Sequence, residues 1–544
     1  MGFRRVTSAG REWSAPMRLF IGSASEGFHL TDTTPRKMKQ IRRTYSLWGA
    51  QSPVFLGMML CGFVLGVSAQ VVTIPDPRLQ QRLRSVLGKP TGNITASDMA
   101  SITRLDASEA GIRSLQGLET ATNLVWLDLT DNRLTNLLAL ADLKELNWLS
   151  ITYNYLTNLS FPRGLNQLGT LRLSWNSFTN LNLPADLNSL TTLDASGNRL
   201  TDFSSFGPLV NLRALDLSYN QLTNLNLPQG LGGLNTLGLW GNHLTDLSFL
   251  SGLTNLSTLS VPYNELTTLS LPADLTKLTR LDVSHNSITN LISSESLLQV
   301  STLNLFDNQL SDSSFIGNLT NLSSLDLSQN QLRGAISIPP LANLSVLNLS
   351  GNHLSDFFLA AGLSKLTTLV LNGNEFTHAE LPPGLVNLMQ VDLSYNSLTN
   401  ITLPNDLVNL IELDVNNNQL SRLSLPVGMG NVQVISVVEN PLTFVALPAG
   451  NPLLGQFFLA LRSYNTPLLL SPSAKSPRRL ADGHFAFDVY ADIGNVVVQR
   501  STDLTAWEDI GSVSVTWPNY PGVTFADTNS PADRAMYRLK LPLK

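Results

Sequence analysis

Side chains able to do chemistry are few in this chain, and they recur at regular intervals. Of its six histidines, His243 and His353 each follow an asparagine and His285 precedes one. These three stand at least 42 residues apart, too scattered for a metal site or an acid–base pair, and they read as solvated surface groups. No HExxH, GxSxG, CxxC or P-loop pattern occurs. Carboxylates are more suggestive. Asp106, Asp128, Asp194, Asp216, Asp282, Asp326, Asp392 and Asp414 fall in one column of a 22-residue spacing. Stacked in register, Asp106 meets Asp128, Asp194 meets Asp216, and Asp392 meets Asp414. Facing carboxylates repel, raise one pKa, and could hold a cation or move a proton. The tripeptide LDL is so frequent here that a structural role is the favoured reading.

Aromatic residues fall into columns too. Trp126 and Trp148 share one, Tyr153, Trp175, Tyr219, Tyr263 and Tyr395 a second, and Trp240 and Phe306 a third. Rings fixed on a rigid sheet supply binding hot spots or stack on sugars. The candidate ligand-binding set is therefore Trp126, Trp148, Tyr153, Tyr155, Trp175, Tyr219, Trp240 and Tyr263. No residue qualifies as catalytic, cofactor-binding or metal-ligating, so the expectation is a binding protein and not an enzyme.

The element that must position these columns is a repeat. An asparagine stands at 132, 154, 176 and every 22 residues thereafter to 440, with no insertion or deletion. One further copy, ITRLDASEAGI, precedes them with Ala110 in the asparagine column, giving sixteen copies. In each copy the LxL core predicts a short strand whose leucines point inward. The asparagine turns the chain, and its amide can satisfy backbone groups left unpaired at the bend. No copy can bury its apolar face alone, so stability is shared between neighbours. Eight copies carry a proline in the other half (Pro162, Pro184, Pro228, Pro272, Pro382, Pro404, Pro426, Pro448), which opposes helix there. Extended segments and tight turns are expected opposite the strands. Sixteen strands at about 4.8 Å would make a sheet about 75 Å long.

The pattern LxxLxLxxNxL over residues 102–450 resembles the leucine-rich repeat family, and its 22-residue length resembles the bacterial internalin-like type. The resemblance implies a curved solenoid with a parallel inner sheet, α/β-type but mostly β, that binds a protein or glycan on its concave face. A helical front end also resembles internalin-like caps. The alternative is a cell-surface structural or adhesion spacer whose C-terminal β-domain attaches it or binds carbohydrate through Trp507, Trp517 or Tyr520.

An open stack needs caps. Residues 71–101 read as a helical N-terminal cap, with Asp76 as N-cap, Pro77 at the first helical position and Gly88 past the end. A second short helix is expected around Thr95–Ile102. The solenoid spans 102–464 and closes on the apolar stretch Leu453–Tyr464. Residues 465–483, rich in Pro, Ser and basic residues, read as a linker. Residues 484–544 alternate apolar and polar positions in short runs, as in a small β-sandwich. That segment resembles a small β-domain found at the C-terminus of secreted bacterial proteins.

Residues 1–70 read as a signal sequence with an N-terminal extension, Met38 being the favoured start. Val54–Ala69 is an uncharged run of 16 residues, short for a membrane span of about 20 and right for a signal core. Cleavage after Ala69 would remove Cys61, the chain's one cysteine, and leave no stable membrane span. The remaining chain has 26 Lys/Arg against 37 Asp/Glu, an acidic excess that disfavours nucleic acid and anionic lipid. Export to the extracellular space, cell surface or periplasm follows. The 104 leucines among 544 residues exclude a disordered chain.

Overall fold

The computed structural model describes residues 70–157, 161–203, 209–227, 230–292 and 295–447, and the strands at 468–470, 473–479, 485–490, 494–501, 508–515, 523–527 and 536–540. The signal segment, Cys61, Leu453–Tyr464, Trp507, Trp517 and Tyr520 lie outside the described residues. Sixteen three-residue strands, from Arg104–Asp106 to Val434–Ser436, form one parallel sheet in sequence order. Each residue faces the residue 22 later: Leu105 meets Leu127, Asp194 meets Asp216, and Leu413 meets Ile435. The array is thus the mostly β solenoid expected of the repeat.

The inward leucines are almost wholly removed from water. Leu127, Leu149 and Leu369 in the strands, and Leu129, Leu134 and Leu239 around them, are fully buried. Each buried leucine contributes about 1.5–3 kcal/mol. Among the described residues the helices are few. On the side opposite the sheet run 3-10 turns such as Leu138–Leu140 and short parallel pairs: Thr268–Leu269 with Asn290–Leu291, Arg333–Ile338 with His353–Leu359, His378–Glu380 with Asn400–Thr402, and Arg422–Ser424 with Phe444–Leu447.

The asparagines work as expected and do more. Nδ2 of Asn264 donates to the carbonyls of Val261 and Pro262 in its own copy and of Leu239 in the copy before. Its Oδ1 accepts from the Leu244 backbone N–H at 2.9 Å. The same bond from a backbone N–H twenty residues earlier recurs in the copies from Asn132 to Asn440. At the opposite edge of the sheet a hydroxyl ladder runs alongside. Thr279, Ser301, Ser323 and Ser345 each donate to the carbonyl 22 residues earlier.

Ala110 has no amide to offer, and the cap supplies the donors. Helix α1 (Pro77–Val86) sends Arg82 to the Ser108 carbonyl and Arg78 to the Gly111 carbonyl, both at 2.8 Å. Its N-cap Asp76 accepts from Arg78 and Leu79 within the helix and from Arg113 and Ser114 of the first copy. These four backbone bonds outweigh the effect of burial and hold its carboxyl below the usual range. Leu79 and Leu83 are the buried face, and Gly88 follows the helix with positive φ. Helix α2 (Ala96–Ala100) is closed by a reciprocal Thr95–Asp98 cap. The Lys89 ammonium and Thr95 hold the Asp98 carboxyl at about 2.

Beyond the array, Leu468–Leu470 pairs in parallel with Phe444–Leu447. Ser473–Arg479, Phe485–Tyr490 and Val523–Asp527 form one antiparallel sheet, and Glu508–Val515, Gly494–Ser501 and Met536–Lys540 another. Two of these strands run within 465–483, the stretch read as a linker. No described helix is long and apolar enough to cross a membrane.

Replacing Asn264 by Ala should lower stability by about 2–4 kcal/mol, because several buried backbone groups lose partners at once. Urea unfolding followed by circular dichroism checks this. A loss below about 0.5 kcal/mol would refute the ladder's role.

Candidate functional site

The residue before each asparagine takes a left-handed backbone. From Glu109 to Glu439 the column holds twelve non-glycine residues at φ 50–55° and the glycines 197, 241, 351 and 373 at φ 62–65°. A side chain there costs about 1–2 kcal/mol, and Tyr, Trp and His are unusual occupants. The conformation is imposed by the bend that brings the asparagine inward. It leaves the preceding side chain at the C-terminal edge of the sheet, facing water. Tyr153 is 51% exposed, Trp175 44%, Tyr219 42% and Tyr263 48%.

These rings form a row. Tyr153 stacks on Trp175 with centroids 5.6 Å apart, and Trp175 reaches Tyr219 at 5.8 Å. Trp175 spans two copies because Gly197 lies between them. A Cβ on Gly197 would sit 2.6 Å from the indole, so the ring lies over bare backbone. Gly241 makes room for the Tyr219 ring in the same way, with 3.1 Å to a Cβ. The row continues through Trp240 at 5.2 Å, Tyr263 at 5.7 Å, His285 at 3.9 Å and Phe306, edge-on, at 4.7 Å. Seven rings thus line eight copies, about 34 Å of the sheet edge. His285 and Phe306 extend the row beyond the candidate set. The signal that finds them is the column alignment, in which His285 shares the position of Tyr263 and Phe306 that of Trp240.

Trp126 and Trp148 form a separate pair near the strand starts. They stack at 4.5 Å and 9°, with the Arg104 guanidinium 3.6 Å from one indole and Arg172 5.6 Å from the other. Arg104 comes from the strand before the pair and Arg172 from the strand after it, so guanidinium groups cover both outer faces. Tyr155 is 64% exposed and stands past the turn asparagine, outside both ring groups.

The aspartate column is built as the register expected, and most of it is occupied with its own backbone. Asp282, Asp326 and Asp392 each accept from the N–H and hydroxyl of the serine two residues on. Paired carboxylates do perturb one another. Burial first, and then the neighbouring Asp194 carboxylate, push Asp216 up. Asp414 is raised by burial and, through charge, by Asp392 and Glu412. Asp106 goes the other way, its carboxylate stabilised by Ser108. The four described histidines each face a carboxylate one copy away, at 2.8 Å for His243–Glu265, 2.7 Å for His285–Asp307, 2.9 Å for His353–Glu375 and 3.7 Å for His378–Asp356. Among the described residues no three His, Cys, Asp or Glu converge to hold a metal ion.

Two outcomes follow. Asp131→Gly should raise stability by about 0.5–1 kcal/mol by relieving a left-handed non-glycine residue, as read by urea midpoint. A lower midpoint would show that the side chain holds the turn. Asp216→Asn keeps the acceptor that Asn304 and Asn348 supply in the same column. A carboxyl whose folded pKa is raised favours folding below its unfolded pKa and loses that contribution as pH rises through the folded value. The variant should therefore melt higher than the parent at pH 7, with the gap closing below about pH 3.8. Equal melting temperatures at both pH values would refute the buried-charge account.

Comparison with known proteins agrees with this architecture. Residues 188–231 match the family model described as Leucine Rich repeats (2 copies). A leucine-rich repeat protein of Leptospira interrogans is similar at 26% identity, with 69% of this chain and 97% of that chain covered and a TM-score of 0.51. An internalin from Listeria monocytogenes is similar at 28% identity, covering 62% of this chain and 93% of that one, with a TM-score of 0.49. No curated protein matches the sequence. With its unbroken 22-residue period and the sixteen-strand solenoid that period builds, the chain has the fold of leucine-rich repeat proteins.

Proposed function

We propose that this protein is an exported, non-enzymatic scaffold that holds a protein ligand on the solvent-facing side of its sixteen-strand sheet, with the ring row from Tyr153 to Phe306 at the centre of contact. The single observation that carries this reading is that row: seven rings in contact along a rigid edge, four of them at exposed left-handed positions. Large rings held without rotamer freedom supply contact area at low entropic cost.

The same geometry favours protein over glycan. A sugar stacks on an open ring face, and here the faces turn toward neighbouring rings or, for the Trp126–Trp148 pair, toward arginine. Ring edges and phenol hydroxyls remain, and these suit a protein surface. Export rests on the Val54–Ala69 signal core. The non-enzymatic reading rests on the serine-bound aspartates and the dispersed histidines.

A test replaces Tyr153, Trp175, Tyr219 and Tyr263 together by Asn, a residue that the same column already accommodates at Asn417. Quantitative capture from the native extracellular fraction with parent and variant should show retained protein falling about tenfold or more, as for loss of several hot spots. Equal retention, with unchanged circular dichroism, would sink the ring-row site.

A further inference from the structure

Around the ring row the sheet is charged, and the charge is one-sided. At the solvent-facing strand positions stand the eight column aspartates and Glu412, against Arg104, Arg172 and Arg280. Arg104 and Arg172 are committed to the tryptophan pair. In the four strands from Thr192–Asp194 to Thr258–Ser260 no basic residue occupies such a position. Among the described residues Asp194, Asp216 and Asp282 form no ion pair.

In the middle of this stretch one side chain is missing, and a carboxylate leans into the gap. Gly238 is the one central-column residue without a side chain, and the Asp216 carboxylate occupies the space beside it: a Cβ there would lie 2.9 Å from its Oδ1. Two residues on, Trp240 faces the same side and packs on Tyr219. The Asp216 carboxylate thus stands in a shallow notch at Gly238 beside the Tyr219–Trp240 contact, with Asp194 next to it in register. Uncompensated carboxylates favour a cation by charge complementarity.

We infer that the segment docking on this face is a cationic protein segment, an extended stretch bearing Lys or Arg whose charged heads enter the Asp194–Asp216–Trp240 notch while its stem lies along the ring row. This deepens the protein-binding reading and rests on it. Charge complementarity selects the occupant, since an acidic or neutral segment would leave the carboxylates facing their own charge or none. About 34 Å of ring row matches an extended segment of about ten residues.

The test uses the full chain and two labelled decapeptides, alternating Gly-Arg and alternating Gly-Glu, read by fluorescence anisotropy. The Gly-Arg peptide should bind and the Gly-Glu peptide should not, with affinity falling about tenfold or more between about 50 and 500 mM salt. Asp194→Asn/Asp216→Asn should weaken binding about tenfold, and Trp240→Ser should weaken it by removing contact area from the ring row. A charge-matched control, Asp246→Asn/Asp312→Asn, removes two carboxylates outside the sheet and should leave binding unchanged. If the control weakens binding as much as the notch variant, attraction is only to net charge and the inference falls. It falls equally if the notch variant binds like the parent. The ring-row reading has its own readout. Natural partners lost by the four-ring variant but retained by the notch variant at high salt would keep the ring row and overturn the cationic partner. Partners retained by both variants would overturn both.

Discussion

A single side-chain amide, repeated every 22 residues, makes the rest of this architecture possible. Each turn after a strand points backbone N–H and C=O groups into a leucine-lined interior where water cannot reach them. An unpaired group there costs about 1–3 kcal/mol. One asparagine satisfies an N–H and a carbonyl of the copy before together with carbonyls of its own. It therefore ties neighbouring copies together as well as closing its own bend. Shortening or lengthening a copy at the turn would leave a donor without its acceptor, and the unbroken period from Asn132 to Asn440 follows from that demand.

The same demand creates the functional surface. To bring the amide inward, the preceding residue must adopt a left-handed backbone, and its side chain is carried to the sheet edge. Most residue types would avoid this conformation, so the column is a place where composition is informative. Glycine there relieves strain and also makes room: the Trp175 and Tyr219 rings lie over Gly197 and Gly241. Strain at the backbone and continuity of the ring row are two consequences of one turn. The carboxylate column has a different origin. Its Asp-x-Ser/Thr wording closes a local turn at the strand end, as at Asp282 and Ser284, and this accounts for LDL more fully than any acid–base role.

Features with a fixed offset in the chain were legible before the fold was known. The copies, the parallel register, the inward leucines, the asparagine amides and the Asp76–Pro77–Gly88 cap all follow from local spacing and elementary hydrogen-bond accounting. The pairing of Asp194 with Asp216 followed from the same spacing, including the upward push on one carboxyl. Contacts that depend on side-chain reach were not legible. Columns placed Trp175 and Tyr219 two copies apart, and only the flat lie of the indole over Gly197 joins them. The Arg172 cover on Trp148 was hidden because Arg172 sits in the aspartate column, whereas Arg104 shares the tryptophan column and its place beside Trp126 follows from the spacing. Composition likewise gave no sign of the strands at Leu468–Leu470 and Ser473–Arg479, because proline and serine there weigh against extended pairing.

The Trp175–Gly197 arrangement bears on how such an array can change over generations. Identical asparagine turns make copies interchangeable for the backbone, so recombination that adds or removes 22 residues leaves the ladder whole. The surface does not share that freedom. A tryptophan lying over its neighbour requires a glycine in the copy that follows, so the two form an ordered couple. Excising the second copy, or inserting an unrelated one between them, would bring a Cβ into the space the indole fills. Copies in this stretch can therefore be exchanged without a clash only as blocks longer than the repeat itself.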